Sequence, residues 1–323
     1  MKATAAAHPI QGLVKYHGMR DADRRLPYHD SISVCTAPSR TVTTVAFDAD
    51  RPDDRYVVDG EPVAEADAGR IRAVLDRVRD RAGLDAGARL ESESTFPTNV
   101  GLGSSSSGFA AAAMAATAAA GLDLSRPAVS AVARLGSASA ARAVTGGYSI
   151  LHAGLNDEDC RAERLPAAID EDVRVVVGLV PAYKETDTAH AEAAESHLFE
   201  SRLAHVHGQL AEAKDALRAG DFDQLFELAE HDSLSLAATT MTGPAGWVYW
   251  RPATIAIIQA VRELRAGGIP AYFSIDTGAT VYVNTTAEHA DAVEAAVADC
   301  GVETRRWRVG GPAEVLDADA ALF

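Results

Sequence analysis

Four features of this chain could do chemistry together. One is the run Phe96-Pro97 through Gly101, Gly103 and the serines Ser104 to Ser107, which opens onto Gly108 and a long alanine stretch. A strand, a small-residue loop and a helix start in that order make a phosphate cradle. Glycines let backbone N–H groups approach a ligand, the helix N-terminus adds free donors and partial positive charge, and serine hydroxyls can add phosphate or Mg²⁺ contacts. The second is Lys15, in a chain whose other lysines are Lys2, Lys184 and Lys214. By spacing alone it reads as a solvated surface lysine, but a cation retained where lysine has almost vanished invites a functional reading. The third is Asp276 within Ser274-Ile275-Asp276-Thr277-Gly278, the most notable acidic residue of the chain, whose plain reading is a turn former. The fourth is a second small-residue loop, Gly136 to Arg142, which feeds a helix.

The cradle is of neither common kind. Gly103 and Gly108 have the Walker A spacing, but Phe109 stands where the lysine must be. Ser106 occupies the third glycine position of a dinucleotide fingerprint counted from Gly101. The plain alternative is a Ser/Gly linker before an alanine-rich core helix. Asp276-Thr277-Gly278-Ala279 also resembles the signature of retropepsin-like aspartic proteases. That chemistry needs two such turns facing each other, here a symmetric dimer, and leaves Lys15, Arg142 and both loops unexplained.

The elements that must carry these residues can be read in order. Residues 2–16 read as a strand entering a loop, and residues 31–36 and 40–48 as β-branched alternating strands. Asp59-Gly60 marks a hairpin, and residues 68–82 a helix with Ile71, Val74, Leu75 and Val78 on one face. Ser125 N-caps a helix to about Leu135, and residues 148–152 and 172–181 are strands, the latter buried by its continuous apolar run. Residues 188–238 read as almost all helix, with His197, His205 and His207 at the surface. A helix at 253–265 and a β-β-α-β order from Ala271 to Val309 complete the chain. The boundary is set near Pro181, giving regions 1–181 and 182–323 of an α+β protein.

Composition narrows the partners. With 46 acidic and 30 basic residues and a formal charge of −16, a nucleic-acid surface is excluded, since phosphate backbones need clustered cations. The acidic surface suggests a salty cytoplasm, where screening reduces self-repulsion. Cys35, Cys160 and Cys300 are odd in number and widely spaced, as expected of reduced thiols. No apolar run reaches membrane-spanning length and no signal sequence is apparent, so a cytoplasmic protein with no membrane partner is expected.

Taken together, the motifs resemble the GHMP small-molecule kinase superfamily and, within it, the mevalonate diphosphate decarboxylase family. Leu13-Val14-Lys15-Tyr16-His17-Gly18 is similar to the family's L-K-Y-W-G, and Arg20-Asp21, Leu26-Pro27 and Ser31-Ile32-Ser33 follow as its R-D, L-P and S-I-S do. The cradle, from Phe96 to Phe109, resembles F-P-T-A-A-G-L-A-S-S-A-A-G-F. The run Ala133 to Arg142, then Gly146-Gly147-Tyr148, is similar to A-R-x-G-S-G-S-A-C-R and G-G-Y, and Phe273–Gly278 lies where the family has T-F-D-A-G. The resemblance implies a two-domain GHMP kinase fold: an N-terminal domain like domain 2 of ribosomal protein S5 and a ferredoxin-like C-terminal domain. It implies a homodimer, ATP and Mg²⁺ as cofactors, and a phosphorylated mevalonate as the small-molecule substrate.

The resemblance also implies roles. Asp276 engages the substrate's 3-hydroxyl as ATP phosphorylates it, Lys15 supplies positive charge beside it, Arg142 holds the substrate carboxylate with Ser137 and Ser139, and Tyr16 also contacts the substrate. Gly101, Gly103, Ser104, Ser105 and Ser106 cradle the ATP phosphates, with Ser105 toward Mg²⁺, and Arg70 meets the 5-phosphate. The chain departs from the family at Met19, where a lysine is expected against the terminal phosphate, at His17 in place of Trp, and after Gly278, where Ala279 follows and the usual asparagine after D-A-G-P is absent. A lost cation at the diphosphate end implies mevalonate 5-phosphate as substrate and isopentenyl phosphate as product, in isoprenoid biosynthesis. The alternatives are the 5-diphosphate, a GHMP kinase without decarboxylation, and a non-catalytic binding protein.

Overall fold

The computed structural model describes residues 1–50, 53–97, 101–169, 171–182 and 186–323. Residues 98–100 of the cradle segment lie outside these. A first sheet has the strand order Glu314–Leu316, Lys2–Ala7, Thr41–Asp48, Gly87–Ser94, Arg55–Val58, Glu61–Pro62. Its helical cover is built on the alanine helix Ser104–Ala119, with Gly69–Ala82, Arg126–Gly136 and Ala138–Thr145 around it. The alanine helix is buried almost all round, because methyl side chains let the sheet and the other helices come close to its backbone.

Strand Thr41–Asp48 fixes where that helix starts. Its alternate residues share one face. At one end Val45 and Phe47 enter the apolar core beneath the helices. At the other, Thr41 and Thr43 meet Ser107 and Ser92 through hydroxyl hydrogen bonds of 2.7 and 2.9 Å. The same strand thus packs the helix body through apolar side chains and pins its first turn through hydroxyls.

The second sheet runs Ala162–Arg164, Tyr148–Leu151, Ser31–Ala37, Glu303–Val309, Val173–Leu179, Val281–Thr286, Ala271–Ser274, with Ile10–Val14 also paired to Ser31–Ala37. Val173–Leu179 is covered on both sides, as its unbroken apolar run predicts. Val175 and Val177 face the core under helices Phe199–Ala219 and Phe222–Met241, and Val176 faces that under Pro252–Ala266 and Ala290–Ala298.

Several expectations change in the structure. Residues 2–16 form two strands, divided by Pro9, which has no N–H to give a ladder. The loop expected from Gly136 to Arg142 is only Ser137. Helices run on either side of it, so Arg142 sits inside a helix rather than in a loop. Residue 181, near which the division is set, follows strand Val173–Leu179, in a sheet that also takes in residues 31–37 and 303–309. The short strand Glu314–Leu316 returns to pair with Lys2–Ala7. Asp59 and Gly60 turn a hairpin as read, at φ of 49° and 83°.

Candidate active site

Lys15 follows strand Ile10–Val14, and Asp276 follows strand Ala271–Ser274. Gly12 is where the two strand ends meet. Its N–H donates to Asp276 Oδ1 at 3.2 Å, and its carbonyl accepts from Ser274 Oγ at 2.8 Å. A Cβ at residue 12 would come within 2.7 Å of both Asp276 Oδ1 and Lys15 Cγ. Only glycine lets the carboxylate and the lysine stem share this space.

Lys15 is 5% exposed, so its charge needs a partner. Asp232, fully buried on helix Phe222–Met241, provides it. Asp232 Oδ2 accepts from Lys15 Nζ at 3.4 Å and from Lys15 N at 2.9 Å, while Oδ1 accepts from Arg202 at 2.8 Å. Arg202 also donates to the Lys15 carbonyl at 2.6 Å. Burial works against the charged lysine and brings its pKa below the ordinary value, with Asp232 and Asp276 opposing it. Burial also works against the charged Asp232, but Arg202 and Lys15 outweigh it and hold the carboxyl below the usual range. Ser233 ties the lysine to the aspartate-bearing turn: its Oγ accepts from Lys15 Nζ at 3.0 Å and from Ile275 N at 3.1 Å.

Arg142 is the second buried cation, 2% exposed. Its Nε and one terminal nitrogen have no hydrogen-bond acceptor among the described residues. The guanidinium lies 5.4 Å from the centre of the Tyr16 ring. Burial lowers its pKa, against the pull of Tyr16 and Asp276. A buried guanidinium with open donors is a prepared anion site, and its planar fork suits a carboxylate. Tyr16 reaches Ser139 Oγ at 3.3 Å through its hydroxyl. Its ring stacks on His190 at 5.1 Å, and His190 Nδ1 accepts from Gly18 N at 3.3 Å.

The cradle forms the third wall. Gly103 caps helix Ser104–Ala119 at a φ of 72°, with strand Ile10–Val14 so close that a Cβ would meet Ile10 O at 3.1 Å. Ser106 is not free for a ligand in the way expected of the whole serine run. Its hydroxyl donates to Gly103 O at 2.6 Å and accepts from Ile10 N at 3.2 Å, locking the loop to the strand. Ser104 and Ser105 remain toward solvent. Arg70 stands over the Phe109 ring at 5.3 Å.

Every residue singled out from the sequence (Lys15, Tyr16, Arg70, Gly101, Gly103 to Ser106, Ser137, Ser139, Arg142 and Asp276) lines one cavity of about 590 Å³. Such a volume suits a small-molecule site. Met19 does not line it. Its side chain packs with Tyr16, Leu26, Ala138 and Ala141. His197, His205 and His207 are exposed, as read. Sequence reading missed Asp232, Arg202, Ser233, His190 and Arg25. A signal existed for Asp232: it stands three residues after Ala229 and four before Leu236, on the buried face of its helix, where an unpaired acid cannot stay.

The model of the diphosphomevalonate decarboxylase-like N-terminal domain matches residues 7–162, and that of the mevalonate 5-diphosphate decarboxylase C-terminal domain matches residues 182–309. A phosphomevalonate decarboxylase from Haloferax volcanii is 67% identical over 324 residues, covering 100% of both chains. The chain belongs to the mevalonate diphosphate decarboxylase family. The family lies within the GHMP group and consists of ATP-dependent carboxy-lyases. Among solved structures, the Staphylococcus aureus mevalonate diphosphate decarboxylase superposes with a TM-score of 0.93 at 28% identity, covering 98% of each chain. MDDEF in complex with MVAPP, AMPPCP and magnesium superposes with a TM-score of 0.93 at 30% identity, covering 98% of this chain and 99% of that one. The fold is therefore the two-domain decarboxylase fold of mixed helix and sheet.

Proposed function

We propose that this enzyme decarboxylates mevalonate 5-phosphate to isopentenyl phosphate, consuming ATP. The observation that carries the reading is the meeting of Asp276, Lys15, Arg142 and the glycine-serine cradle around one cavity. The cradle suits a nucleotide's phosphates: Gly101 and Gly103 hold positive φ, and the first turn of a 16-residue helix opens beside them. Ser104 and Ser105 would hold those phosphates, and Ser105 the Mg²⁺. When bound, ATP supplies the phosphoryl group and Mg²⁺ neutralises charge on it.

Asp276 orients the 3-hydroxyl and takes its proton as the new P–O bond forms. Lys15, held at that point by Asp232 and Ser233, offsets the charge gathering there. Arg142, with Ser137, Ser139 and Tyr16 beside it, fixes the carboxylate. The C3–O bond then breaks with its electron pair leaving on phosphate. The C1–C2 bond breaks with its pair forming the C2–C3 double bond, and CO₂ departs. Holding the carboxylate in line with the breaking C–O bond is the geometric requirement of that step.

Two observations favour the monophosphate. The position where a lysine was expected against the terminal phosphate is Met19, packed in an apolar cluster. The 67% identical relative is named phosphomevalonate decarboxylase. The test is kcat/KM at high salt with each substrate. Preference for mevalonate 5-phosphate by about 100-fold or more is expected. Preference for the 5-diphosphate overturns the substrate assignment while leaving the reaction type intact. A homodimer in the cytoplasm accords with this reading, and light scattering tests the assembly.

A further inference from the structure

Arg25 lies outside every motif discussed above. It lines the cavity, at the end of the turn between the short strands Met19–Asp21 and Leu26–Pro27. Its φ is 51°, and Arg25 and Asp59 are the non-glycine residues with positive φ among those described. Asp59 belongs to a hairpin whose turn type demands it, whereas Arg25 ends a turn that glycine would fill more easily. Such a conformation persists only where the surroundings over-determine it.

The surroundings do so. Arg24 N donates to Asp21 Oδ1 at 2.9 Å, and Arg25 N donates to Ala22 O at 3.3 Å. The Arg24 carbonyl accepts from Arg134, a fully buried side chain that also donates to Cys160 O at 3.0 Å and pairs with Asp157. The next residue, Leu26, is packed with Tyr16, Ala138 and Ala141. Arg25 therefore enters the cavity on the wall that carries Tyr16, Ser139 and Arg142. Arg70 approaches the same end, since its partner ring Phe109 lies against Gly136, next to Ser137.

We infer that Arg25 is a specificity-determining residue that binds the 5-phosphate of the substrate. This rests on the proposed reaction and deepens it. A guanidinium on a locked turn grips one phosphate group by charge-assisted hydrogen bonds, while the turn's rigidity fixes how far from Arg142 that phosphate can sit. The distance between the two cations then measures the substrate's length.

Arg25→Gly separates binding from folding, because glycine accepts a φ of 51° at no cost. KM for mevalonate 5-phosphate should rise by about 10- to 100-fold, the effect of losing a hydrogen bond to a charged group. The kcat should stay within about threefold, KM for ATP should not change, and Tm should hold or rise. Arg25→Lys should recover part of the loss. An unchanged substrate KM, a rise in the KM of ATP instead, or a fall in Tm with both constants affected would overturn the inference. Both substrates are run on wild type. If wild type takes the 5-diphosphate, the proposed substrate fails, and the KM of that substrate in Arg25→Gly still decides the role of Arg25.

Discussion

The two buried cations of the cavity are kept charged in opposite ways. Lys15 has a resident counter-ion: Asp232 accepts from it and from Arg202, and Ser233 Oγ accepts a further hydrogen bond from Nζ. Arg142 is as deeply buried and leaves Nε and a terminal nitrogen without an acceptor among the described residues. A desolvated guanidinium with open donors destabilises the ligand-free protein, and that cost is recovered when an anion arrives. Lys15 is therefore a fixed charge that positions, and Arg142 an unfilled one that binds. The difference separates fold support from ligand affinity in one cavity.

The largest effect should come from the satisfied side. Asp232→Ala leaves Lys15 and Arg202 buried without their carboxylate and should cost about 3–5 kcal/mol in denaturant unfolding. A loss near the level of a surface pair would mean that the lysine is held by other means. On the open side, Arg142→Lys should lower kcat/KM by about 100-fold while leaving stability unchanged or raised, because a planar fork is replaced by a point charge. A loss of stability as large as that of Asp232→Ala would erase the distinction.

Gly12→Ala tests whether the two sides meet at one point. The added methyl collides with Asp276 Oδ1 and Lys15 Cγ, each 2.7 Å away, so kcat should fall by about 10- to 100-fold with KM for ATP little changed. Gly108→Ala, where a Cβ meets nothing within 4 Å, is the control and should be silent.

The smallest effect belongs to a pair that water screens. His152 donates a hydrogen bond to Asp30, which raises its pKa above the ordinary value, and both side chains are 35% exposed. Its folded pKa is raised, so the stabilisation is complete below about pH 6.5 and fades as pH rises through the folded value. His152→Ala should lose about 0.5 kcal/mol at pH 5.5 and nothing by about pH 9, measured by urea unfolding at both.

How much of this could be read from the chain follows from what each residue answers to. Lys15, Arg142, Asp276 and the cradle stand in short ordered motifs, whose spacing is set by local strand-turn-helix geometry, so they were visible. Asp232 and Arg202 sit singly in long amphipathic helices, and their meaning depends on a partner more than 200 residues away for Asp232 and 187 for Arg202. The start of the helix at Ala138 was hidden because Gly and Ser favour turns, while the packing of Phe109 against Gly136 decides otherwise. Strand Glu314–Leu316 is too short to carry a periodicity, and only pairing with Lys2–Ala7 makes it one. The left-handed Arg25 left no trace in the sequence, since nothing local demands it.

The account's central claim is that one cavity both transfers a phosphoryl group and releases carbon dioxide. Its most direct test is the ratio of CO₂ to ADP formed from mevalonate 5-phosphate labelled at its carboxyl carbon, with ATP and Mg²⁺ at high salt. A ratio of one to one, with isopentenyl phosphate as product, is predicted. ADP formed without CO₂ would contradict the claim and leave a kinase.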